Sequence, residues 1–284
     1  MRIRSTENEH EFQTILYKRL NAYSLQGLLM DSNNKFTAAV EAIEYDDNEQ
    51  IEIPFSNAEI RAKLLLASKL EIPFFIVIYK KGKYYVCQAS HLLDGSFNEL
   101  FSQNNALEEK EFAQWWGKMK GTTQTKPLAN GAGPRAGYTV FDGALEKYGL
   151  MWGGNIDGFI VNEAFDQIMC VIDNISVSSN IKGSWANPAI YFNDGNPKHG
   201  PNYSGWLPTT TLAMTLNVPH ALFTFDKRND SEEHVGLTFI SSLSKERISF
   251  VGNVTPNSNV IDGLEEIVAK FTAALPAIHP PKIV

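Results

Sequence analysis

The spacing of apolar and polar positions predicts a fixed order of helices and strands in the first part of the chain. Apolar residues recur at every third or fourth position in the predicted helices, and they run together or alternate with polar residues in the predicted strands. The turn-forming residues of "SNNK" separate the strands of a hairpin. The first set comprises a helix over 5–23, strands over 27–31 and 35–45, a helix over 56–70 and a strand over 72–79.

The same order of elements is predicted again in the second part of the chain. This second set comprises a helix over 140–149, strands over 155–161 and 167–179, a helix over 207–217 and a strand over 218–227. Other apolar runs predict strands over 51–55, 84–90, 235–243 and 248–254, and helices over 105–120 and 259–275.

One stretch of sequence is repeated more closely. "LASKLEIPFFIVIYKK" (66–81) matches "LAMTLNVPHALFTFDK" (212–227) after a shift of 146 residues. Each stretch is typical of the end of an amphipathic helix, a short turn before a proline and a buried strand. The repeat favours an internal duplication. The alternative is one continuous domain whose halves resemble each other only because they share a fold class.

The continuous apolar strands predict the fold class. Strands of this kind need cover on both faces, so we expect an α/β protein with two similar units, each a mixed β-sheet flanked by helices. The stretch 121–137 is rich in Gly, Thr and Pro and has no apolar periodicity, which is typical of a linker or long loop. The predicted units are therefore 1–120 and 138–284.

Composition narrows the classes of function. The 284 residues are 43% hydrophobic and 20% charged, and the formal net charge is −7, which argues against a protein that coats nucleic acid by bulk electrostatics. No run of apolar residues is long enough to span a membrane, and the start lacks the apolar core of a secretory signal. Cys87 and Cys170 lie in apolar strands and are expected to be reduced core thiols, so we expect a cytoplasmic protein.

Acidic residues lie on the two strands of each predicted hairpin. Asp31 and Glu41 are in the first, and Asp157 and Asp173 are in the second. Adjacent antiparallel strands can bring two carboxylates to one edge, where they repel unless a cation lies between them. Oxygen ligands suit Mg²⁺ or Mn²⁺, and such an ion polarises a phosphoryl oxygen and lowers the pKa of bound water.

The order helix, strand with Asp, hairpin, strand with an acid, helix and buried strand resembles the restriction-endonuclease-like, or PD-(D/E)XK, nuclease superfamily. The resemblance implies Mg²⁺- or Mn²⁺-dependent hydrolysis of DNA. It also implies that Asp31 with Glu41, and Asp157 with Asp173, bind the metal. In the family, a lysine two residues after the second acid positions or activates the attacking water.

The sequence departs from the family pattern at that lysine. Ile43 and Ile175 stand in its place, and Met30 and Ile156 stand where a proline usually precedes the first Asp. Either the lysine has moved to a neighbouring element, or one or both units keep the fold and have lost the reaction. The candidates for a moved lysine are Lys35, Lys63, Lys182 and Lys198.

The acids also have structural interpretations. Asp31, before "SNN", is typical of a turn residue whose carboxylate accepts backbone hydrogen bonds. Glu41 and Asp173 lie within apolar strands, where an unpaired buried carboxylate is unfavourable, unless those positions face water.

A long loop in the second half carries candidate nucleic-acid contacts. Aromatic and basic residues on such a segment suit base stacking and groove contacts, and equally a protein interface. The candidates are Trp185, Tyr191, Lys198, His199, Tyr203 and Trp206.

Two classes of function follow. The first is a restriction or defence-type endonuclease acting on DNA, with the first half favoured for chemistry, through Asp31, Glu41 and Lys63, and the second for recognition. The second is a non-catalytic nuclease-like scaffold that binds DNA or a protein partner in a restriction or defence complex. A metal-dependent hydrolase of small phosphoesters is a third alternative. A homo-oligomer is left open, since the sequence does not determine the oligomeric state.

Overall fold

Long apolar runs bounded by turn residues form the strands of the protein, and amphipathic segments form the helices that cover them. The computed structural model describes residues 2–3, 11–49, 51, 53–89, 106–122, 139–176, 192, 203–227, 233–254 and 260–284. The chain is α/β, as predicted, with mixed β-sheet and α-helices. It divides into two compact units, 1–6 with 25–155 and 7–24 with 156–284.

The first unit contains a four-stranded path with one helix between its middle strands. Strands run in the order β2–β3–β4–β5; β2 and β3 are antiparallel, β3 and β4 parallel, and β4 and β5 antiparallel. The short β1 pairs with β3. The elements are β1 (Arg2–Ile3), β2 (Ala22–Met30, of which 25–30 belong here), β3 (Phe36–Glu44), α2 (Asn57–Lys69), β4 (Phe74–Lys80), β5 (Lys83–Gln88), α3 (Glu109–Met119) and α4 (Val140–Lys147).

The second unit contains a five-stranded path. Strands run in the order β6–β7–β8–β9–β10; β6 and β7 are antiparallel, β7 and β8 parallel, and the remaining pairs antiparallel. The short β11 runs parallel to β9. The elements are α1 (Glu11–Leu20), β6 (Gly154–Val161, of which 156–161 belong here), β7 (Ile168–Ser176), α5 (Tyr203–Leu216), β8 (His220–Lys227), β9 (Glu233–Leu243), β10 (Ile248–Val254), α6 (Val260–Ala274) and β11 (Lys282–Ile283).

The turn from helix to strand has the same local geometry in the two repeated stretches. Glu71 and Asn217 both have positive φ, 55° and 56°, within two residues of the end of the helix. The carbonyls of Pro73 and Pro219 then accept hydrogen bonds from the neighbouring parallel strand, at 2.9 and 3.0 Å. The prediction of a helix end, a turn before proline and a buried strand is confirmed in both places.

Each unit has its own apolar core. In the first, aromatic side chains from α3, α4 and the segment after α4 pack together. The ring centroids of Trp116 and Trp152 are 4.3 Å apart in this cluster. In the second, α1 and α6 cover strands β7 to β9, and Phe271 stacks on Phe239 at 5.9 Å. Cys87 and Cys170 are buried in strands, as predicted.

Several predicted elements differ from the structure. No strand forms at Ile51 or over 53–55, where Pro54 lacks the backbone N–H that a ladder needs. The short strands β1 and β11 were not predicted. The unit boundaries also differ from those predicted, because α1 belongs to the second unit and α4 to the first. Of the predicted linker 121–137, residues 123–137 lie outside the described part of the chain.

Among the described residues, no helix is both long and apolar enough to cross a membrane.

Candidate functional site

The hairpin of the second unit brings Asp157 and Asp173 together. Gly158 pairs with Ile172 across β6 and β7, so the residues one step further along are directly opposite each other. Side chains of directly opposite residues point to the same face, with Cβ atoms about 5 Å apart. The predicted meeting of these two carboxylates is therefore observed.

Each carboxylate of this pair is held through one oxygen. Asp157 Oδ2 accepts a hydrogen bond from the backbone N–H of Asn174 at 2.8 Å. Asp173 Oδ2 accepts one from Thr209 Oγ1 at 2.8 Å and lies 2.8 Å from His220 Nε2. The other oxygens, Oδ1 of both residues, accept no hydrogen bond from any residue in the described ranges.

The electrostatics of the pair reflect burial and mutual repulsion. Burial raises the pKa of Asp157, and the negative charge of Asp173 raises it further, while the hydrogen bond from Asn174 opposes both; the pKa reaches about 7. Two carboxylates that repel in a partly enclosed site are the arrangement that a cation stabilises.

His220 and Thr209 were not predicted as site residues. His220 begins β8 directly after Pro219 and is fully buried, and Thr209 lies on α5 and is 3% exposed. The repeat of 146 residues contained a usable signal, since it places Thr209 over Lys63 and His220 over Phe74.

Asp31 and Glu41 of the first unit do not meet, contrary to the prediction. Gly27 pairs with Val40, so the residue opposite Glu41 is Gln26. Asp31 lies five residues further along, at the hairpin turn, which corresponds to about 16 Å of strand.

The carboxylate of Asp31 stabilises the hairpin turn instead. Its Oδ1 accepts hydrogen bonds from the backbone N–H groups of Asn33 at 2.8 Å and Lys35 at 3.0 Å. These bonds, that of Lys35 first, lower the pKa of Asp31. The structural interpretation as a turn residue is confirmed, and the assignment of Asp31 to a metal site with Glu41 is corrected.

Glu41 instead forms a buried ion pair with Lys63. Lys63 Nζ lies 2.8 Å from Glu41 Oε1 and 2.6 Å from Glu59 Oε1. Glu41 and Lys63 are each 1% exposed. Burial raises the pKa of Glu41, and the charge and hydrogen bond of Lys63 oppose that shift. The lysine expected to assist catalysis is thus close to an acid, but it is enclosed and does not face solvent.

Gln26 and Asp157 occupy corresponding positions in their hairpins. Each is opposite the buried acid of the returning strand, and each side chain accepts a hydrogen bond from the backbone N–H one residue after that acid. The donors are Ala42, at 2.7 Å from Gln26 Oε1, and Asn174, at 2.8 Å from Asp157 Oδ2. The strand register therefore matches Asp157 with Gln26. The sequence pattern had matched it with Asp31, five residues further along the strand.

The residue two positions after each buried acid, where the family has its lysine, lies among apolar side chains. Ile43 is fully buried and Ile175 packs against the apolar cluster around Trp206. Lys35 is exposed at the hairpin turn, and Lys182 and Lys198 lie outside the described residues. Within the described ranges, neither Asp157 nor Asp173 forms an ion pair with a lysine or arginine, and no cluster of three or more His, Cys, Asp and Glu side chains could hold a metal.

The aromatic residues predicted to contact nucleic acid are only partly described. Trp185, Tyr191, Lys198 and His199 lie outside the described residues. Trp206 is 4% exposed and packs edge-on against Phe192 at 5.2 Å, and Tyr203 packs against the same cluster. Trp206 is therefore a core residue and is not available for base stacking, because α5 turns it toward β8 and β9.

Comparison with family models, with curated proteins and with solved structures finds no match for this chain.

Proposed function

We propose that the protein hydrolyses phosphodiester bonds in DNA, and that Asp157 and Asp173 of the second unit hold the Mg²⁺ or Mn²⁺ ion that the reaction needs. The observation that carries this proposal is the opposed carboxylate pair, in which each acid is fixed through Oδ2 and keeps Oδ1 without a hydrogen bond from a described residue.

The donor set fits a hard divalent cation. Carboxylate oxygens are ligands that Mg²⁺ and Mn²⁺ accept, and Mg²⁺ is commonly held by one or two carboxylates together with water and substrate phosphate. The raised pKa of Asp157 indicates that two negative charges are unfavourable there without a cation. A bound ion would polarise the scissile phosphate and supply a more acidic water.

Thr209 and His220 would act as positioning residues. Both contact Asp173 Oδ2 at 2.8 Å from buried positions, so both hold the carboxylate through the same oxygen. Partners of this kind orient metal ligands and set their basicity. Without such partners, an aspartate on a strand would not hold its carboxylate in a fixed position.

The order of elements supports a restriction-endonuclease-like fold in two copies. Each unit has an antiparallel hairpin, a helix, a strand parallel to the returning strand and a further antiparallel strand. The matching turns at Glu71 and Asn217, and the matching hydrogen bonds of Gln26 and Asp157, support descent from one duplicated unit. The choice of DNA as the substrate follows from this resemblance.

A plasmid-nicking assay with Mg²⁺ or Mn²⁺ tests the proposal. We expect Asp157→Asn and Asp173→Asn to lower the cleavage rate at least about 100-fold, because each removes a charged ligand. Asp31→Asn is the matched control, since it changes an aspartate at the turn of the other hairpin, away from the proposed site, and should leave the rate unchanged. If the wild type cleaves the plasmid and both Asp157→Asn and Asp173→Asn cleave it equally fast, the proposed site is wrong.

A non-catalytic scaffold that binds DNA or a protein partner in a restriction or defence complex is the second candidate function. The observation in its favour is that Ile175 replaces the family lysine and no described lysine or arginine pairs with Asp157 or Asp173. This alternative predicts no cleavage and no change of melting temperature with Mg²⁺ or Mn²⁺. Gel-shift titration with duplex DNA would then separate DNA binding from protein binding.

A further inference from the structure

Lys63 in the first unit and Thr209 in the second occupy corresponding positions. Each lies ten residues before the proline that precedes the buried strand, Pro73 or Pro219. Each side chain reaches the buried acid of the returning strand at 2.8 Å, Glu41 in one case and Asp173 in the other. The two units therefore direct the same helix position at the same acid, but one supplies an ammonium group and the other a hydroxyl.

The ammonium group of Lys63 is surrounded as a bound cation would be. Glu41 Oε1 and Glu59 Oε1 lie 2.8 and 2.6 Å from Nζ, and the Phe55 ring centroid lies 4.1 Å from it. Lys63 is almost fully buried, so water does not screen these contacts. Carboxylates and an aromatic face are groups that stabilise a positive charge.

The position that corresponds to Asp157 carries an uncharged residue, Gln26, in the first unit. Gln26 accepts the backbone hydrogen bond from Ala42 that corresponds to the bond from Asn174 to Asp157. A glutamine can accept this bond without adding a further negative charge to those of Glu41 and Glu59. Lys63 thus lies between the carboxylates of Glu41 and Glu59, whereas Asp157 and Asp173 form no ion pair with a lysine among the described residues.

Glu41 keeps one open ligand position. Its Oε2 is buried and has no hydrogen-bond partner among the described residues, while Oε1 contacts Lys63 and the backbone N–H of Gln26. An unsatisfied buried carboxylate oxygen is unfavourable in an ordinary core. It is the atom that would ligate an ion in a site of the kind proposed for Asp157 and Asp173.

We infer that the first unit contains a second cation site of the same design, filled permanently by the ammonium group of Lys63 in place of a divalent ion. The inference rests on the proposed metal site of the second unit. Its consequence is that the first unit binds no Mg²⁺ or Mn²⁺ and that hydrolysis belongs to the second unit alone.

A gain of metal binding tests the inference. In a background of Asp157→Asn and Asp173→Asn, which silences the second unit, Gln26→Asp with Lys63→Thr gives the first unit the residue types of Asp157 and Thr209. We expect Mn²⁺ at 100 times its Kd to raise the Tm of this protein by about 5 °C. The background protein should show no such rise. A folded variant without a Mn²⁺-dependent rise overturns the inference.

A matched variant separates a new metal site from the simple loss of a lysine. Gln26→Asp with Lys63→Met, in the same background, removes the ammonium group but supplies no oxygen at position 63. A filled site predicts that this protein gains a smaller Tm rise than the threonine variant. Gln26→Asp alone, in the same background, retains Lys63 and should show no Tm rise. A rise equal to that of the threonine variant would show that the ammonium group does not occupy the site.

The number of ions bound by the natural chain is the second measurement, and it needs no refolded variant. Titration calorimetry should give one Mn²⁺ per chain, lost in Asp157→Asn and unchanged in Glu41→Gln. A second ion that disappears in Glu41→Gln overturns the inference. Absence of any bound Mn²⁺ in the wild type contradicts the proposed function, and the gain-of-binding experiment still decides between a filled site and an ordinary ion pair.

Discussion

Asp173 Oδ2 lies 2.8 Å from Nε2 of His220, whose imidazole is fully buried. The residue at the corresponding place in the first unit is Phe74, which also follows a proline at the start of its strand. A polar ring thus occurs in the unit where no described lysine pairs with the buried acid, and an apolar ring where Lys63 already contacts Glu41. A buried carboxylate needs hydrogen-bonding partners, and His220 Nε2 is one of them.

Replacement of His220 should weaken both the fold and the proposed metal site. His220→Phe keeps the ring volume and introduces the side chain that the first unit uses, but it removes the contact with Asp173. We expect the free energy of unfolding to fall by about 1–3 kcal/mol. Metal affinity, measured by Mn²⁺ titration, should fall about 10- to 100-fold, because Asp173 loses an orienting partner. A Mn²⁺ affinity equal to that of the wild type would contradict the positioning role.

The raised pKa of Asp157 predicts how stability depends on pH. Its folded-state pKa is about 7, against an ordinary value of 3.8, so between these values the folded protein holds a proton that the unfolded chain has released. Stability is therefore greatest below pH 4 as far as this group is concerned, and it is lost as the pH rises toward 7. The loss totals about 4 kcal/mol.

Urea denaturation of the wild type and of Asp157→Asn in EDTA, at pH values from 5 to 8, measures this effect. Asp157→Asn should remove most of the decline, because the amide does not titrate. Asp31→Asn is the control: the pKa of Asp31 is lowered from its ordinary value, so its contribution is lost only as the pH falls below that value, and this change should leave the slope between pH 5 and 8 unaltered. Parallel curves for wild type and Asp157→Asn would show that Asp157 does not titrate in this range.

Local patterns in the sequence were sufficient to predict most of the secondary structure. The hairpins, the helices and the repeated turn before proline follow from apolar periodicity, turn residues and helix caps, which act between near neighbours. The membership of the units was not predictable in this way, because the grouping of α1 with β6 to β11 depends on contacts between residues more than a hundred positions apart.

The candidate site was predicted in part for the same reason. One hairpin separates the two acids in each unit, but the strand register decides which residues lie opposite each other, and it places Asp157 opposite Asp173 and Gln26 opposite Glu41. A shift of five residues changes the partner from Asp31 to Gln26, and nothing local distinguishes the two. His220 was overlooked because its contact with Asp173 crosses parallel strands.

Removal of Lys63 should be strongly destabilising, because it leaves Glu41 buried without a counter-ion. We expect Lys63→Met to lower the free energy of unfolding by about 3–5 kcal/mol in urea denaturation. Lys69→Met is the matched control, since Lys69 is an exposed lysine in the last turn of the same helix. Its effect should stay within about 0.5 kcal/mol.

A second substitution at Glu41 should recover part of that loss. Glu41→Gln in the Lys63→Met protein removes the uncompensated charge, so the double variant should be more stable than Lys63→Met alone. The double-mutant cycle then gives the coupling between the two side chains, which we expect to exceed about 1 kcal/mol. Additive effects of the two changes would argue against the buried ion pair and against a filled cation site.

Gly158 allows a close contact that supports the proposed site. A Cβ atom at this position would lie 2.6 Å from Tyr17 Oη, and that hydroxyl donates a hydrogen bond to the backbone oxygen of Asp157 at 2.9 Å. Gly158→Ala should therefore displace the Tyr17 ring and destabilise the protein by about 1–3 kcal/mol. The displacement would also disturb Asp157, so Mn²⁺ binding should weaken in the same variant.

Gly143→Ala is the matched control for this substitution. A Cβ atom at Gly143 has no other atom within 4 Å, and the residue lies inside α4. Alanine forms helices more readily than glycine, so this change should stabilise the protein by about 0.5–1 kcal/mol. The two variants should thus shift the Tm in opposite directions. A Gly158→Ala protein as stable as Gly143→Ala would mean that Tyr17 can move without cost, and that its hydrogen bond does not hold Asp157 in place.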